Sequence, residues 1–525
     1  MFGYARHLLA SRAPQTAKAR RDQVKNSAGG YVFALDVWAR LDRFLVLGSE
    51  GGTYYASERA LTQDNARVVL DALHVDPARA VAQITAISVA GRAPKNDAAI
   101  FALALAMSLG DARAKEHAFA ALPKICRTGT HLFQLVRDVR TLRSWGRGLR
   151  RAIAGWYNAL PATTLAVQVA KYGQRAGYSH RDLLRLSHPK AASPAHAAVY
   201  RWLTQGEKGA ELPALLHGFE AVRAARTAAE VTALVREHRL THEMVPSDFK
   251  NDRSVWEALL EEMPLTALVR NLGKLSSMGL LEPLARTTKD VAEKLRNRKL
   301  LRKARLHPIS LLSALRVYSQ GHGERGKLTW KPVEAIKAAL DDAFYAAFEH
   351  VDPTNVRHLI ALDVSGSMTG GLIAGIPGMN PRLASAAMAM VTARSAREHH
   401  LLGFSNRLVP LAISPRSRLE ETIRTIERVP MGATDCALPM LHAAKAKITV
   451  DTFVVYTDNE TWFGAVHPYR ALLDYRQAMG LPAKLVVVGL TATAFTIADP
   501  DDAGMLDVVG FDSAAPQLLA QFAAA

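Results

Sequence analysis

The sequence predicts a chain of two domains, an all-α domain of stacked helix pairs followed by a doubly wound parallel α/β domain. Apolar positions recur at three- and four-residue spacing through most of the first 350 residues, which is the pattern of helices with one buried face. After about Asn355, short apolar strands alternate with amphipathic helices, which is typical of a parallel sheet covered by helices. We therefore divide the 525 residues into a helical domain, 1–354, and a sheet domain, 355–525.

The helical domain is predicted to consist of helices separated by short Gly or Pro breaks. No long stretch alternates in the manner of a strand, so we expect stacked helix pairs of the solenoid kind. The clearest periodic segments are residues 64–73, 97–108, 165–172, 194–203 and 255–268.

The sheet domain is predicted to form a parallel sheet with helices on both faces. The candidate strands are residues 358–364, 400–405, 452–456, 484–490 and, more weakly, 505–509. The candidate helices between them are residues 382–397, 418–429, 436–447 and 468–479.

The net charge of +18 is concentrated in the helical domain. Residues 351–525 hold 14 Lys and Arg against 16 Asp and Glu, whereas residues 1–350 hold 52 against 32 and so carry +20. Such an excess is the electrostatic footprint of a polyanionic partner, and nucleic acid fits best. A membrane surface is the alternative, but no uninterrupted apolar run approaches the roughly 20 residues of a spanning helix. We expect a soluble protein without a membrane partner.

Cysteine usage and the first residues bear on location. Cys126 and Cys436 are the only cysteines, so the sequence has neither a disulfide framework nor a zinc cluster, in agreement with a reducing cytoplasm. Residues 1–21 contain five Lys and Arg and no acid, a composition that also occurs in transit peptides. We interpret them as a flexible basic arm.

Oxygen-bearing side chains follow two of the predicted strands. Asp363, Ser365 and Ser367 come directly after the first strand, Asp458 follows the third, and Thr434 lies in a turn between them. Ligand sites of open α/β sheets form at the carboxyl edge, where these loops meet. Carboxylates and hydroxyls suit Mg²⁺, which prefers oxygen ligands and keeps several waters. The five residues resemble the metal-ion-dependent adhesion site of von Willebrand factor A domains.

This ligand set favours binding over catalysis, and we expect no catalytic residues. With two Asp among five ligands the cation keeps positive charge and an open position, whereas metal nucleases usually gather three or four carboxylates. One alternative is a metal-dependent ribonuclease using Asp363, Asp458 and Glu460. A second is a protein-adhesion module whose metal grips a partner's carboxylate. Asp435 could replace a ligand or cap the following helix, and we favour the cap.

Three basic segments stand out in the helical domain, at residues 137–151, 171–190 and 289–307. A single run of this kind is usually a solvated helix face. Three runs in one domain, with no comparable run in the other, favour contacts with phosphates.

The second basic segment also resembles the hallmark stretch of the Ro 60 kDa autoantigen family, the TROVE module. The resemblance rests on residues 171–175 (KYGQR) and 178–188 (YSHRDLLRLSH). Residues 26–31 (NSAGGY), 43–48 (RFLVLG), 50–55 (EGGTYY) and 91–97 (GRAPKND) are similar to the same module, and bacterial orthologues look closest.

The resemblance implies a ring of HEAT-like helical repeats closed by the adhesion-type domain, and a cytoplasmic, monomeric, noncatalytic protein. It implies that Y RNA binds outside, that single-stranded ends of misfolded noncoding RNA enter the central hole, and that a 3′ to 5′ exoribonuclease is a partner. By motif position, Lys171, Arg175 and His188 are the Y RNA contacts, and we expect Lys171 and Arg175, four residues apart, on one helical face. For the hole the candidates are Arg137, Arg140 and Arg147, which would hold single strands by charge.

Overall fold

The computed structural model of the chain describes residues 13–48, 58–324, 326–348, 354–376 and 378–525. The motif at residues 50–55 and residues 1–12 of the predicted basic arm lie outside these ranges.

The first domain is built from helices, as predicted. Several of them begin where Asp or Ser accepts a hydrogen bond from a backbone N–H of the first turn, as at Asp76, Asp111 and Ser193. Their bounds are Val37–Leu47, Glu58–Val75, Pro77–Ala90, Asp97–Leu109, Ala112–Ile125, Gly129–Leu142, Arg147–Ala159, Ala162–Lys171, His180–Ser187, Pro194–Gln205, Ala214–Ala224, Ala228–His238, Arg253–Glu261, Leu265–Ser277, Arg286–Arg296, Arg298–Ala304, Pro308–Gln320 and Glu334–Ala346.

Helices next but one in sequence pack together, which confirms the predicted stack of helix pairs. Pro77–Ala90 packs on Ala112–Ile125, and Asp97–Leu109 packs on Gly129–Leu142. The prediction of a single helix over residues 255–268 was wrong. It is split into Arg253–Glu261 and Leu265–Ser277, because Pro264 disfavours helical angles in the residue before it. Among the described helices, none has both the length and the apolar character that a bilayer span requires.

The described strands form three sheets. The bounds are β1 Gln23–Lys25, β2 Tyr31–Ala34, β3 Gln174–Arg175, β4 Tyr178–Ser179, β5 Thr354–Asp363, β6 Ala396–Phe404, β7 Leu408–Val409, β8 Thr452–Thr457, β9 Lys484–Gly489, β10 Phe495–Thr496 and β11 Met505–Val509. The six-stranded sheet has the order β11-β9-β8-β5-β6-β7, and only β7 runs antiparallel to its neighbour. The other two sheets are β1-β2-β10 and the hairpin β3-β4.

The main sheet is covered on both faces, which confirms the doubly wound prediction. Its helices are Pro381–Ser395, Leu419–Glu427, Leu438–Ala446, Pro468–Met479 and Ala515–Ala524. Alternate residues of β5 enter different cores, since Ile360 and Leu362 belong to one apolar cluster and Leu359 and Ala361 to the other. The helix predicted to reach residue 397 ends at Ser395, and β6 starts at Ala396, where pairing with β5 begins.

Both ends of the helical domain contact the sheet domain. Near the start, Arg43 forms an ion pair with Asp507 (2.6 Å). Near the end, Lys337 forms one with Glu420 (2.8 Å), and Asp341 accepts a hydrogen bond from the backbone of Leu419 (2.8 Å). The sheet domain therefore closes the ring of helical elements.

Candidate functional site

The five predicted metal ligands converge at the carboxyl edge of the main sheet. Strands β5 and β8 are neighbours in register, with Leu362 opposite Tyr456, so Asp363 and Asp458 emerge side by side. Ser365 and Ser367 lie in the loop after β5, and Thr434 lies in the loop before Leu438–Ala446. All five residues are buried, at 3% exposure or less.

Hydrogen bonds hold the two carboxylates in fixed positions. Asp363 Oδ1 accepts from the Ser365 N–H (2.9 Å), and Asp363 Oδ2 accepts from Thr457 Oγ1 (2.7 Å). Asp458 Oδ1 accepts from the Glu460 N–H (3.0 Å), while the Ser365 and Ser367 hydroxyls lie 3.0 Å apart. The two carboxylates are thus held in place by their own loops and by strand β8.

Two oxygens of this cluster are left without partners. Thr434 Oγ1 and Asp458 Oδ2 are buried, and neither has a hydrogen-bond partner among the described residues. Burial, reinforced by the charge of Asp458, raises the pKa of Asp363 to about 7, and burial also raises the pKa of Asp458. A divalent cation would satisfy both orphan oxygens and remove the repulsion between the carboxylates, so the residues fit the group that was predicted.

Glu460 is buried two residues after Asp458, and its Oε1 also has no hydrogen-bond partner among the described residues. Its Oε2 accepts a hydrogen bond from the Ala28 N–H (3.0 Å), and burial, followed by the charge of Asp458, raises its pKa to about 8. Across the described ranges no three His, Cys, Asp or Glu side chains gather in a way that could hold a metal ion. The arrangement proposed for the ribonuclease alternative is therefore absent from this part of the chain.

Asp435 anchors the turn before the helix Leu438–Ala446. Its Oδ1 accepts from the backbone N–H of Ala437 (3.0 Å) at the start of the following helix, and from Gln15 Nε2 (2.7 Å). The N-cap residue of that helix is Ala437, two residues later than predicted, so Asp435 orders the turn that leads into the helix.

The three predicted Y RNA contacts lie close in sequence but on different elements. Lys171 ends the helix Ala162–Lys171, Arg175 is exposed in the β3-β4 hairpin, and His188 is exposed at the left-handed cap of His180–Ser187. The expectation that Lys171 and Arg175 share a helical face was wrong, because the helix stops before Gly173. Lys171 also forms an ion pair with Glu243 (3.1 Å).

The three arginines predicted to line the hole are all exposed. Arg137 and Arg140 lie on Gly129–Leu142, and Arg147 begins the next helix. Arg137 donates to Asp138 (2.8 Å). Arg140 and Arg147 make no ion pair within the part of the chain that the structure describes.

Comparisons with known proteins agree with this architecture. Residues 24–233 and 234–356 match the TROVE domain family, and residues 357–523 match the Ro60 vWA domain family. The chain belongs to the TROVE domain family. Two similar relatives of this family are both named RNA-binding protein RO60. The one from Deinococcus radiodurans is 44% identical, with 97% of each chain covered, and the one from Caenorhabditis elegans is 33% identical, covering 97% of this chain and 91% of that protein.

A solved structure of the family has the same overall fold. The crystal structure of the Deinococcus radiodurans RO (RSR) protein matches with a TM-score of 0.67 and 42% identity, covering 93% of this chain and 99% of that chain. The helical domain and the terminal sheet domain are therefore shared features of this family.

The prediction of a flexible arm was wrong for residues 13–21 of this TROVE-family chain. We call residues 13–35 the N-terminal strap. Gln15 is fully buried and pairs through its backbone with Gly464 (2.8 Å), while Arg20 forms ion pairs with Asp499 and Asp501. Strand β2 then pairs with β10 of the sheet domain.

The strap contacts the two loops that carry Thr434 and Asp458 of the candidate metal site. Gln15 holds Asp435, which is next to Thr434, and accepts a hydrogen bond from Thr461. Asn26 Nδ2 donates to the carbonyls of Thr461 (2.8 Å) and Asn459 (3.3 Å), just after Asp458. The sequence did not predict that these residues support the candidate metal site, although residues 26–31 were already noted as similar to the TROVE module.

Proposed function

We propose that this chain is a noncatalytic RNA-binding ring protein. It holds Y RNA on its outer surface through Lys171, Arg175 and His188, and single-stranded ends of misfolded noncoding RNA in its central hole through Arg137, Arg140 and Arg147. We infer that it works in RNA quality control with a 3′ to 5′ exoribonuclease, as a monomer in the cytoplasm. The observation that carries the proposal is the relation, over nearly the whole chain, to two proteins named for RNA binding.

The charge distribution supports the same function. Residues 1–350 carry +20, and the exposed side chains of Arg137, Arg140, Arg147, Arg175 and His188 all lie on this part of the chain. Phosphate contacts by such groups give salt-sensitive affinity with little sequence preference. This suits a protein that must accept many aberrant RNAs.

The test is a gel-shift titration with a structured noncoding RNA that has an unpaired 3′ tail, at two salt concentrations. We expect wild type to bind without cleaving the RNA in Mg²⁺. We expect Lys171→Ala/Arg175→Ala to lower the slope of log affinity against log salt by about 2, because two phosphate contacts are lost. Arg236→Ala/Arg253→Ala is the matched control, since both of its arginines are exposed and ion-paired. Cleavage by wild type would contradict the noncatalytic function, and equal binding by the double variant would contradict the site.

The metal site has its own test. We propose that Asp363, Ser365, Ser367, Thr434 and Asp458 hold Mg²⁺, whose open position would take an oxygen of a partner. MgCl₂ at a hundredfold excess over its Kd should stabilise wild type by about 2.7 kcal/mol, and should not stabilise Asp363→Asn. Thermal unfolding with and without chelator measures this.

The stability of Asp363→Asn in the absence of metal gives a second check on the site. Asp363→Asn removes the repulsion with Asp458, so without metal it should unfold at or above the wild-type temperature. The exposed Asp248→Asn serves as the control and should keep the full response to MgCl₂. A response of Asp363→Asn equal to that of wild type would exclude this metal site.

A further inference from the structure

A pocket of about 540 Å³ lies where the two domains and distant parts of the ring meet. Its walls come from Pro94 and Lys95, from the helices Leu265–Ser277 and Pro308–Gln320, from Trp330, and from Ile376 of the sheet domain. Pockets of roughly 300–1,000 Å³ at domain interfaces are the usual places for small ligands. We call this the interdomain pocket.

The interdomain pocket is lined by three cations, Lys95, Arg270 and Lys274, and by no Asp or Glu of the described residues. Arg270 is exposed, and Lys274 Nζ donates to a neutral acceptor, Asn251 Oδ1 (2.8 Å). Because the described lining holds three cations and no carboxylate, its electrostatic potential favours an anionic ligand. Phosphate is the anion that a Lys and Arg cluster of this kind binds well.

Neutral polar groups converge on the same space. Ser310 and Ser313 are one turn apart on Pro308–Gln320, so their hydroxyls share a helical face. Asn271 lines the opposite wall and uses its Nδ2 on the Ala267 carbonyl (2.8 Å), which leaves its Oδ1 as an acceptor. These groups match the hydroxyls and ring nitrogens of a nucleoside.

An aromatic ring forms the apolar wall. Trp330 Nε1 donates to the Tyr318 carbonyl (2.9 Å), and the two rings are stacked 6.2 Å apart. Gly273 lies so close to the indole that an added Cβ would be 2.7 Å from it. The ring is therefore fixed in place, and Val269, Leu306 and Val317 extend the apolar surface beside it.

We propose that the interdomain pocket binds a nucleoside monophosphate, with the phosphate near Lys95, Arg270 and Lys274 and the base toward Trp330. The nucleotide is either free or the phosphorylated terminal residue of an RNA. This goes beyond the proposed function, because neither the predicted Y RNA contacts nor the arginines of residues 137–151 line the pocket. A ligand here would also bridge the helical and sheet domains.

The test is isothermal titration of the full chain with AMP, adenosine and inorganic phosphate. AMP should bind saturably at one site. Adenosine and inorganic phosphate should each bind with an affinity at least about tenfold lower, because each lacks half of the contacts. Arg270→Ala/Lys274→Ala and the pocket-filling Ser313→Leu should each weaken AMP binding about tenfold or more. The exposed Arg113→Ala, on another helix, should bind as wild type does.

Two results would overturn the proposal: AMP and inorganic phosphate binding equally, or AMP affinity unchanged in the Arg270→Ala/Lys274→Ala variant. That variant changes side chains at the pocket rim, so it keeps the test valid if Ser313→Leu fails to fold. Displacement of AMP by a 5′-phosphorylated but not a 5′-hydroxyl oligoribonucleotide would support an RNA end as the ligand, and AMP binding without displacement would support a free nucleotide. Lys171→Ala/Arg175→Ala should keep AMP binding, which separates this site from the proposed RNA surface.

Discussion

Replacing Arg43 with alanine is expected to lower the free energy of unfolding by about 3–5 kcal/mol, because it leaves Asp507 in the domain interface without its partner. Arg43 is 1% exposed, and its Nη2 lies 2.6 Å from Asp507 Oδ1. Its Nη1 donates to the carbonyls of Thr493 and Phe495, both at 3.0 Å. The side chain joins the first described helix to two strands of the sheet domain, so its loss should also loosen ring closure.

Denaturant unfolding measures the loss, and two further variants define its cause. Arg40→Ala lies on the same helix outside this ion pair, and we expect a change within about 0.5 kcal/mol. Replacing both partners, as Arg43→Met/Asp507→Leu, should recover much of the loss, because no charge is then left buried without a partner. Wild-type stability of Arg43→Ala would show that the ion pair does not hold the interface.

The placement of the five candidate ligands at one sheet edge could be predicted because it depends on local patterns. Each ligand follows an apolar strand or a Gly-containing turn, and parallel strands bring their carboxyl ends to one edge. The register that places Asp363 beside Asp458 needs only that β5 and β8 be neighbours. The sequence was therefore enough to place the five candidate ligands at one edge of the sheet, but not to identify the residues that support them.

The N-terminal strap could not be predicted in the same way. Strands β1 and β2 are three and four residues long, and β2 pairs with β10 from the opposite end of the chain. Short strands carry little periodicity, and their partners are set by tertiary packing. Net charge likewise suggested a free arm, although Arg20 has its acidic partners in the sheet domain.

The prediction that Lys171 and Arg175 share a helical face was wrong for a local reason. Gly173 and the Ala176-Gly177 pair end the helical periodicity, and Gly177 has φ of 80°, which suits the tight turn of the β3-β4 hairpin. Arg175 is therefore presented by a hairpin and His188 by a helix end. If the three proposed contacts on three elements bind RNA, they would suit a folded RNA surface better than a single phosphate backbone.

Gly30→Ala is expected to displace the N-terminal strap from the metal loops. A Cβ at this position would lie 1.9 Å from the Thr461 carbonyl oxygen and about 3 Å from other backbone atoms, none of which can rotate away. Overpacking of this kind typically costs about 1–3 kcal/mol, and we expect at least that loss. The hydrogen bonds from Asn26 to Thr461 and from Ala28 to Glu460 should be lost with it.

Displacement of the strap should also weaken Mg²⁺ binding at the candidate metal site. Residues 459–461 directly follow Asp458, so a strap that no longer holds them should let the Asp458 loop move and weaken Mg²⁺ binding. Hydrogen exchange over residues 13–35 and the MgCl₂-induced rise in unfolding temperature measure the two effects. Gly209→Ala is the control, because an added Cβ there meets open space. If Gly30→Ala exposed the strap to exchange but kept the full response to MgCl₂, strap docking and metal binding would be independent.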